Sequence, residues 1–208
     1  MRRWAGPKRR TSAEVPRARS SSARSGPSSC HVALLRGINV GGKNKLTMAD
    51  LAKLFAAAGC EGVRTYIQSG NVVFLADMKT AERIPGAVAG QIAARFGLEV
   101  PVVLRSAEEL RRVAASNPFL KSGADPDALH VAFLAEAPDR RRAGALDPRR
   151  SPGDSFELRG REVYLHLPNG VARTKLTNAY LDATLGTKST LRNWRTVRKL
   201  LEMTRAQA

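Results

Sequence analysis

The chain has 208 residues, of which 43% are hydrophobic, and a formal net charge of +17. This length is enough for one large or two small domains whose cores need neither disulfides nor metals. Cys30 and Cys60 form no Cys-x-x-Cys pair and the three histidines lack ligand-like spacing, which argues against a structural zinc site and fits a reducing compartment, so we expect a cytoplasmic protein. No apolar run approaches the roughly 20 residues that a membrane span needs, so we expect none.

The positive charge lies in both parts of the chain. Residues 1–29 contain eight Arg or Lys against the single acid Glu14, with no hydrophobic period, so we expect a disordered basic tail. The composition also resembles an organelle transit peptide, although the amphipathic helix of such a peptide is missing, and a dispensable extension is the plainer interpretation. A basic surface attracts nucleic acid, anionic membranes or phosphorylated small molecules without distinguishing among them.

Residues 30–105 predict the order β-α-β-β-α-β. The apolar or β-rich runs that predict strands are 31–36, 63–68, 71–75 and 100–104. Thr47 with Asp50 predicts the start of the first helix, and the apolar stripe from Ile84 to Phe96 predicts the second, with Pro85 in its first turn. The second and third runs form either a hairpin around Ser69 or one bent strand. The order is that of a ferredoxin-like sandwich, with two helices on one face of an antiparallel sheet.

Residues 106–208 partly repeat this order after a linking helix, which a capping box at Ser106 and Glu109 opens. From Leu129 the pattern indicates a strand, a short Arg-rich helix, a pair of strands, a helix over 174–185, and a last helix capped by Asn193. We therefore predict an α+β fold of two ferredoxin-like units, the second lacking its final strand. An internal duplication is plausible without an evident residue-level repeat.

Several long motifs resemble the domain-of-unknown-function family 1697. In the first half, residues 34–45 read Leu-Leu-Arg-Gly-Ile-Asn-Val-Gly-Gly-Lys-Asn-Lys and 66–74 read Tyr-Ile-Gln-Ser-Gly-Asn-Val-Val-Phe. In the second half, 167–178 read Leu-Pro-Asn-Gly-Val-Ala-Arg-Thr-Lys-Leu-Thr-Asn and 190–197 read Thr-Leu-Arg-Asn-Trp-Arg-Thr-Val. The resemblance covers about residues 31–204. It implies an uncharacterised bacterial-type α+β protein and brings no reaction.

The glycine-rich basic loop after the first strand is the most suggestive chemical feature. Its glycines allow backbone N–H groups to approach an anion, and its Arg and Lys residues add positive charge. In the ferredoxin-like order, the turn between the second and third strands emerges at the same end of the sheet, which predicts a composite pocket. The candidate ligand-binding residues are Arg36, Gly37, Asn39, Gly41, Gly42, Lys43, Asn44, Lys45, Ser69, Gly70 and Asn71. Alternatively, the glycines only turn the chain and the lysines are solvated.

The same loop resembles a phosphate-binding P-loop in Gly37-x-x-x-x-Gly42-Lys43, but Asn44 stands where Mg²⁺ requires Ser or Thr. The predicted helix also starts later than the lysine, so a nucleotide hydrolase is disfavoured. The RNA-recognition module shares the strand order, yet its stacking aromatics on the first and third strands are missing. Any nucleic-acid contact is therefore expected to involve mainly phosphates.

A second basic and polar group lies in the last third of the chain. Its members are Arg173, Lys175, Asn178, Arg192, Asn193, Trp194 and Arg195. Alternatively, the tryptophan is a core residue, Asn193 is a helix cap and the arginines are solvated. No catalytic residue, metal site or cofactor is predicted. We expect binding of an anionic, phosphate-bearing small molecule or nucleic-acid backbone, with a nucleotide- or phosphoester-processing enzyme and a structural or protein-interaction module as alternatives.

Overall fold

The computed structural model describes residues 26–207, so most of the predicted disordered tail lies outside the described residues. The first unit contains six elements: β1 (Ser29–Leu35), α1 (Met48–Ala57), β2 (Glu61–Tyr66), β3 (Asn71–Ala76), α2 (Met78–Phe96) and β4 (Val102–Ser106). Its antiparallel sheet has the order β2-β3-β1-β4. Both helices pack on one face of this sheet. The predicted ferredoxin-like arrangement is confirmed, and β2 and β3 form a hairpin rather than one bent strand.

Helix capping explains where the helices of this unit begin. The Thr47 side chain accepts a hydrogen bond from the backbone N–H of Asp50 at 3.0 Å, as predicted. Asp77 caps α2 in the same way by accepting from the N–H of Thr80 at 2.8 Å. Because α2 therefore starts at Met78, Pro85 lies inside the helix, and the prediction that it occupies the first turn was wrong. The polar start of this helix precedes the apolar stripe on which the prediction relied.

The second unit follows two linking helices, α3 (Ala107–Ala115) and α4 (Pro118–Lys121). Its elements are β5 (Leu129–Leu134), α5 (Arg140–Ala143), β6 (Ser155–Arg159), β7 (Glu162–His166), α6 (Asn178–Leu185) and β8 (Ser189–Asn193), followed by α7 (Trp194–Arg205). The antiparallel sheet has the order β6-β7-β5-β8, so the prediction of a missing final strand was wrong. The sequence of β8, Ser-Thr-Leu-Arg-Asn, contains no apolar run and continues directly into α7. The sequence therefore contains no signal of a strand at this position. Helix α6 also starts later than the expected residue 174.

The elements form five layers. Helices α1 and α2 cover the outer face of the first sheet, and α5 and α6 lie on the outer side of the second. Helices α3 and α7 lie between the two sheets. The central core combines buried residues from both units and both helices, among them Val32, Leu34, Leu110, Val131, Phe133 and Leu200. The two units therefore share one hydrophobic core, whose burial favours their association.

The two sheets repeat the same pairing register. Val32 of β1 lies opposite Arg105 of β4, and Val131 of β5 lies opposite Arg192 of β8. Aligned in this way, the sequence does contain a short repeat: His-Val-Ala at 31–33 and 130–132, and Leu-Arg before a helix cap at 104–106 and 191–193. The predicted duplication is therefore visible in the residues once the register is known.

Candidate anion-binding site

The glycine-rich loop between β1 and α1 ends in a small hairpin. The N–H of Lys43 donates to the carbonyl of Val40 at 3.0 Å, and Gly41 and Gly42 between them have φ angles of 56° and 75°. Two consecutive positive φ values define a type I′ turn, which glycine adopts at little steric cost. Val40 is 65% exposed. The tip of the loop therefore projects into solvent.

Two asparagine side chains hold the base of the loop. The amide nitrogen of Asn39 donates to the carbonyls of Leu46 at 2.8 Å and Gln68 at 3.0 Å, and its oxygen accepts from the N–H of Leu46 at 2.9 Å. The amide nitrogen of Asn44 donates to the carbonyl of Gly37 at 2.8 Å. These bonds pre-organise the loop and join its base to the turn between β2 and β3. Both side chains are thus engaged with the backbone.

The basic residues of the loop fall into two classes. Lys43 and Lys45 are exposed, and within residues 26–207 neither has a carboxylate within 4.0 Å. Arg36 instead donates from Nη1 to Oδ2 of Asp182 and to the carbonyl of Ser189, both at 2.8 Å. The loop's accessible charge therefore comes from the two lysines, while Arg36 binds the second unit.

The turn between β2 and β3 lies beside the base of the loop, but its residues face in different directions. Ser69 is exposed. A Cβ on Gly70 would lie 2.7 Å from Cβ of Leu35, so glycine allows a close approach within the core. Asn71 is completely buried; its amide nitrogen donates to the Tyr66 carbonyl at 3.1 Å and to the Ser69 hydroxyl at 3.0 Å.

The partner of the Asn71 oxygen is a buried arginine of the second unit. Nε of Arg192 donates to Oδ1 of Asn71 at 2.5 Å, and its Nη2 donates to the carbonyls of Leu35 at 2.5 Å and Ser69 at 3.1 Å. Burial lowers the pKa of Arg192 to about 10, so the guanidinium stays charged at neutral pH. Sequence reasoning missed this link between Arg192 and Asn71. The repeated Leu-Arg before a helix cap was the available signal.

The structure does not assemble the second basic group into one surface. Trp194 is a core residue and Arg192 is buried. Asn193 caps α7 by accepting from the N–H of Thr196 at 2.8 Å. Asn178 accepts from the Ser189 hydroxyl at 3.2 Å. The remaining members are exposed: Arg173 and Lys175 lie in the connection between β7 and α6, and Arg195 lies in α7.

In the described part of the chain, no group of three His, Cys, Asp or Glu residues could hold a metal ion, and no helix is long and apolar enough to cross a membrane. Cys30 and Cys60 are buried free thiols, and burial raises the pKa of Cys60 to about 12. The cytoplasmic location expected from these cysteines stays a prediction. Helix α1 begins only at Met48, so Lys43 does not occupy the helix start that a P-loop lysine requires.

Comparison with known proteins places this geometry in a family. The family model described as "Protein of unknown function (DUF1697)" matches residues 29–164. The chain belongs to the DUF1697 family. The matched segment of this DUF1697 protein includes the glycine-rich loop and the β2–β3 turn but ends within β7, before the second group of basic residues.

A similar solved structure is that of the conserved bacterial protein SP0830 from Streptococcus pneumoniae. It is 23% identical to this DUF1697 protein, the match covers 86% of this chain and 99% of that one, and the TM-score is 0.67. At this level of identity the similarity shows the fold alone. No curated protein matches the chain.

Proposed function

We propose that this DUF1697 protein binds an anionic, phosphate-bearing ligand at the Gly37–Lys45 loop. The proposal rests on a difference in length between the two units' connections from first strand to first helix. The second unit passes from its first strand to its first helix through residues 135–139, whereas the first unit uses residues 36–47. Since both sheets have the same order and register, the fold does not require the longer loop.

The chemistry of the loop suits a phosphate. Lys43 and Lys45 supply exposed ammonium groups, and the glycines at 41 and 42 leave the backbone open to close approach by an anion. The side chains of Asn39 and Asn44 already fix the loop, so binding loses little conformational entropy. A phosphate bound between the two lysines would form charge-assisted hydrogen bonds.

Isothermal titration calorimetry with inorganic tripolyphosphate tests this function. Lys43→Ala should weaken binding by about 1.5–3 kcal/mol, the range for a hydrogen bond to a charged group, without changing Tm because the side chain is exposed. Lys45→Ala should act in the same direction.

The matched control is Lys79→Ala, which removes an exposed lysine from α2. The control should bind tripolyphosphate as the wild type does. Equal losses of tripolyphosphate affinity for Lys43→Ala and Lys79→Ala would show that binding depends only on net charge and would contradict the proposed site.

A further inference from the structure

A groove lies where Tyr66 of the edge strand β2 faces helix α7. At one end, the side-chain amide of Gln207 donates to the carbonyl of Gly62 at 2.5 Å. At the other end, Tyr66 and Trp194 line an opening of about 210 Å³. We name this feature the β2–α7 groove; its polar walls are Asp127, Arg195, Arg198, Lys199 and Glu202.

The polar wall of the β2–α7 groove carries three cations and two carboxylates. Arg195 pairs with Asp127 at 3.2 Å, and Lys199 pairs with Glu202 at 3.0 Å. Such exposed ion pairs are weak, so a phosphate can compete for their cations. Arg198 lies between them and has no carboxylate within 4.0 Å in the described part of the chain.

The strand wall adds an aromatic ring and another cation. Arg64 and Tyr66 are two residues apart in β2, so their side chains leave the same face of the strand. Arg64 is exposed, and Tyr66, which is half-buried and packs against the central core, lines the opening. An aromatic ring next to several cations is the combination with which proteins hold single-stranded nucleic acids.

The β2–β3 turn joins the Tyr66 end of the groove to the base of the glycine-rich loop. The Tyr66 carbonyl accepts from the side chain of Asn71 at the start of β3, and the carbonyl of Gln68 accepts from Asn39 at the loop's base. Ile67 between them is 51% exposed and has a φ of 46°. The Tyr66 end of the groove and the base of the loop are therefore connected through the same turn.

From this continuity we infer that a single-stranded nucleic acid binds along the β2–α7 groove, with one base against Tyr66 and its phosphates beside Arg198 and its neighbours. The opening of about 210 Å³ is smaller than the roughly 300–1,000 Å³ of pockets that enclose a drug-sized ligand. It therefore accepts one part of a longer molecule. Stacking on Tyr66 requires an unpaired base, which favours single strands over duplexes. The extension of the strand to the loop rests on the proposed function of Lys43.

Fluorescence anisotropy of labelled oligo-dT, oligo-rU and a duplex with the full-length protein tests the inference. Tyr66→Ala should weaken single-strand binding at least about fivefold, as loss of one base stack does, while Tyr66→Phe keeps the ring and the affinity. Arg198→Ala should reduce the slope of log K against log salt by about 0.7, measured between about 50 and 200 mM salt. The control Arg95→Ala removes an exposed arginine from the outer helix α2 and should change neither.

The two single-stranded probes distinguish DNA from RNA, and tight binding of either supports the inference. Equal affinity of the Arg198→Ala and Arg95→Ala proteins, or binding of the duplex as tight as that of both single strands, would overturn it. If Lys43→Ala weakens tripolyphosphate binding but Arg198→Ala leaves oligonucleotide binding unchanged, the proposed function of the loop stands and the inference about the groove is wrong. If Arg198→Ala weakens oligonucleotide binding but Lys43→Ala leaves tripolyphosphate binding unchanged, the inference about the groove stands and the proposed function of the loop is wrong.

Discussion

The two units of this DUF1697 protein share their strand order and register, yet differ in the connection after the first strand. In the second unit, residues 135–139 make this connection, and Asp139 caps α5 by accepting from the N–H of Arg142 at 2.7 Å. In the first unit, the connection contains an exposed glycine tip and two lysines without acidic partners in the described part of the chain. The difference separates what the fold requires from what the first unit adds to it.

A second comparison concerns the arginines that join the units. Arg105 of β4 donates from Nε to Glu162 at 2.7 Å and from Nη2 to the carbonyl of Leu134 at 2.8 Å, at the end of β5. Arg192 of β8 makes the equivalent bonds to Asn71 and to the carbonyl at the end of β1. Each unit therefore binds the other through the same strand position, with a carboxylate on one side and an amide on the other.

The largest expected effect comes from removing one of these arginines. Arg192→Ala should lower the free energy of unfolding by about 2–6 kcal/mol, because two buried acceptors, the carbonyl of Leu35 and the side-chain oxygen of Asn71, lose this donor at about 1–3 kcal/mol each. Urea unfolding measures this loss. The exposed Arg198→Ala should stay within about 0.5 kcal/mol of the wild type. Equal, small effects would mean that the buried arginine does not join the units.

The variant Asn71→Asp tests whether a carboxylate can replace the amide beside Arg192. Asn71→Asp places a carboxylate beside Arg192 but removes the donor to the Tyr66 carbonyl and the Ser69 hydroxyl. We expect a loss of about 1–3 kcal/mol in urea unfolding, despite the new ion pair. Glu162→Gln is the matched change because it keeps an acceptor for Nε of Arg105, and it should cost less. A more stable Asn71→Asp protein would contradict this role of the amide.

We expect a smaller change in the free energy of unfolding when a glycine at the loop's tip is replaced, and a change of opposite sign in a control variant. Gly42 has a φ of 75°, and a Cβ at this position would have no neighbour within 4 Å, so Gly42→Ala should cost about 1–2 kcal/mol from backbone conformation alone. Gly86 lies inside α2 in equally open space, and Gly86→Ala should stabilise the protein by about 0.5–1 kcal/mol. Thermal or urea unfolding compares the two variants. A neutral Gly42→Ala would show that the turn is not fixed.

The smallest effect concerns two histidines in equivalent positions. Burial lowers the pKa of both His31 and His130 below the ordinary value of 6.5. As the pH falls through about 6.5, the unfolded chain therefore binds protons that the native protein does not, and stability decreases. The slope should be below about 1.4 kcal/mol per pH unit per histidine. The double variant His31→Gln and His130→Gln should show a flatter profile between about pH 7.5 and 5.5, and an unchanged profile would refute this origin.

The sequence predicted the first unit better than the second for physical reasons. The strands β1 and β3 are apolar runs, and the caps Thr47 and Asn193 are local signals. Strand β8 was not predicted because its polar side chains make their hydrogen bonds with residues distant in the sequence or on other elements, which a local pattern does not reveal. The inward direction of Asn71 depends on Arg192, which lies 121 residues further along the chain. Local patterns could therefore identify the loop as exposed and basic, but not which polar residues of the turn face the core.

The most direct test of the loop's proposed function is a ¹⁵N–¹H NMR titration with tripolyphosphate. We predict saturable shifts of the backbone amides of Gly41, Gly42 and Lys43, and none at residues 135–139, the equivalent connection of the second unit. The Lys43→Ala protein should lose the shifts of the two glycines, while Lys79→Ala should retain them. Equal shifts in both connections, or shifts that leave the glycine tip unchanged, would contradict the account.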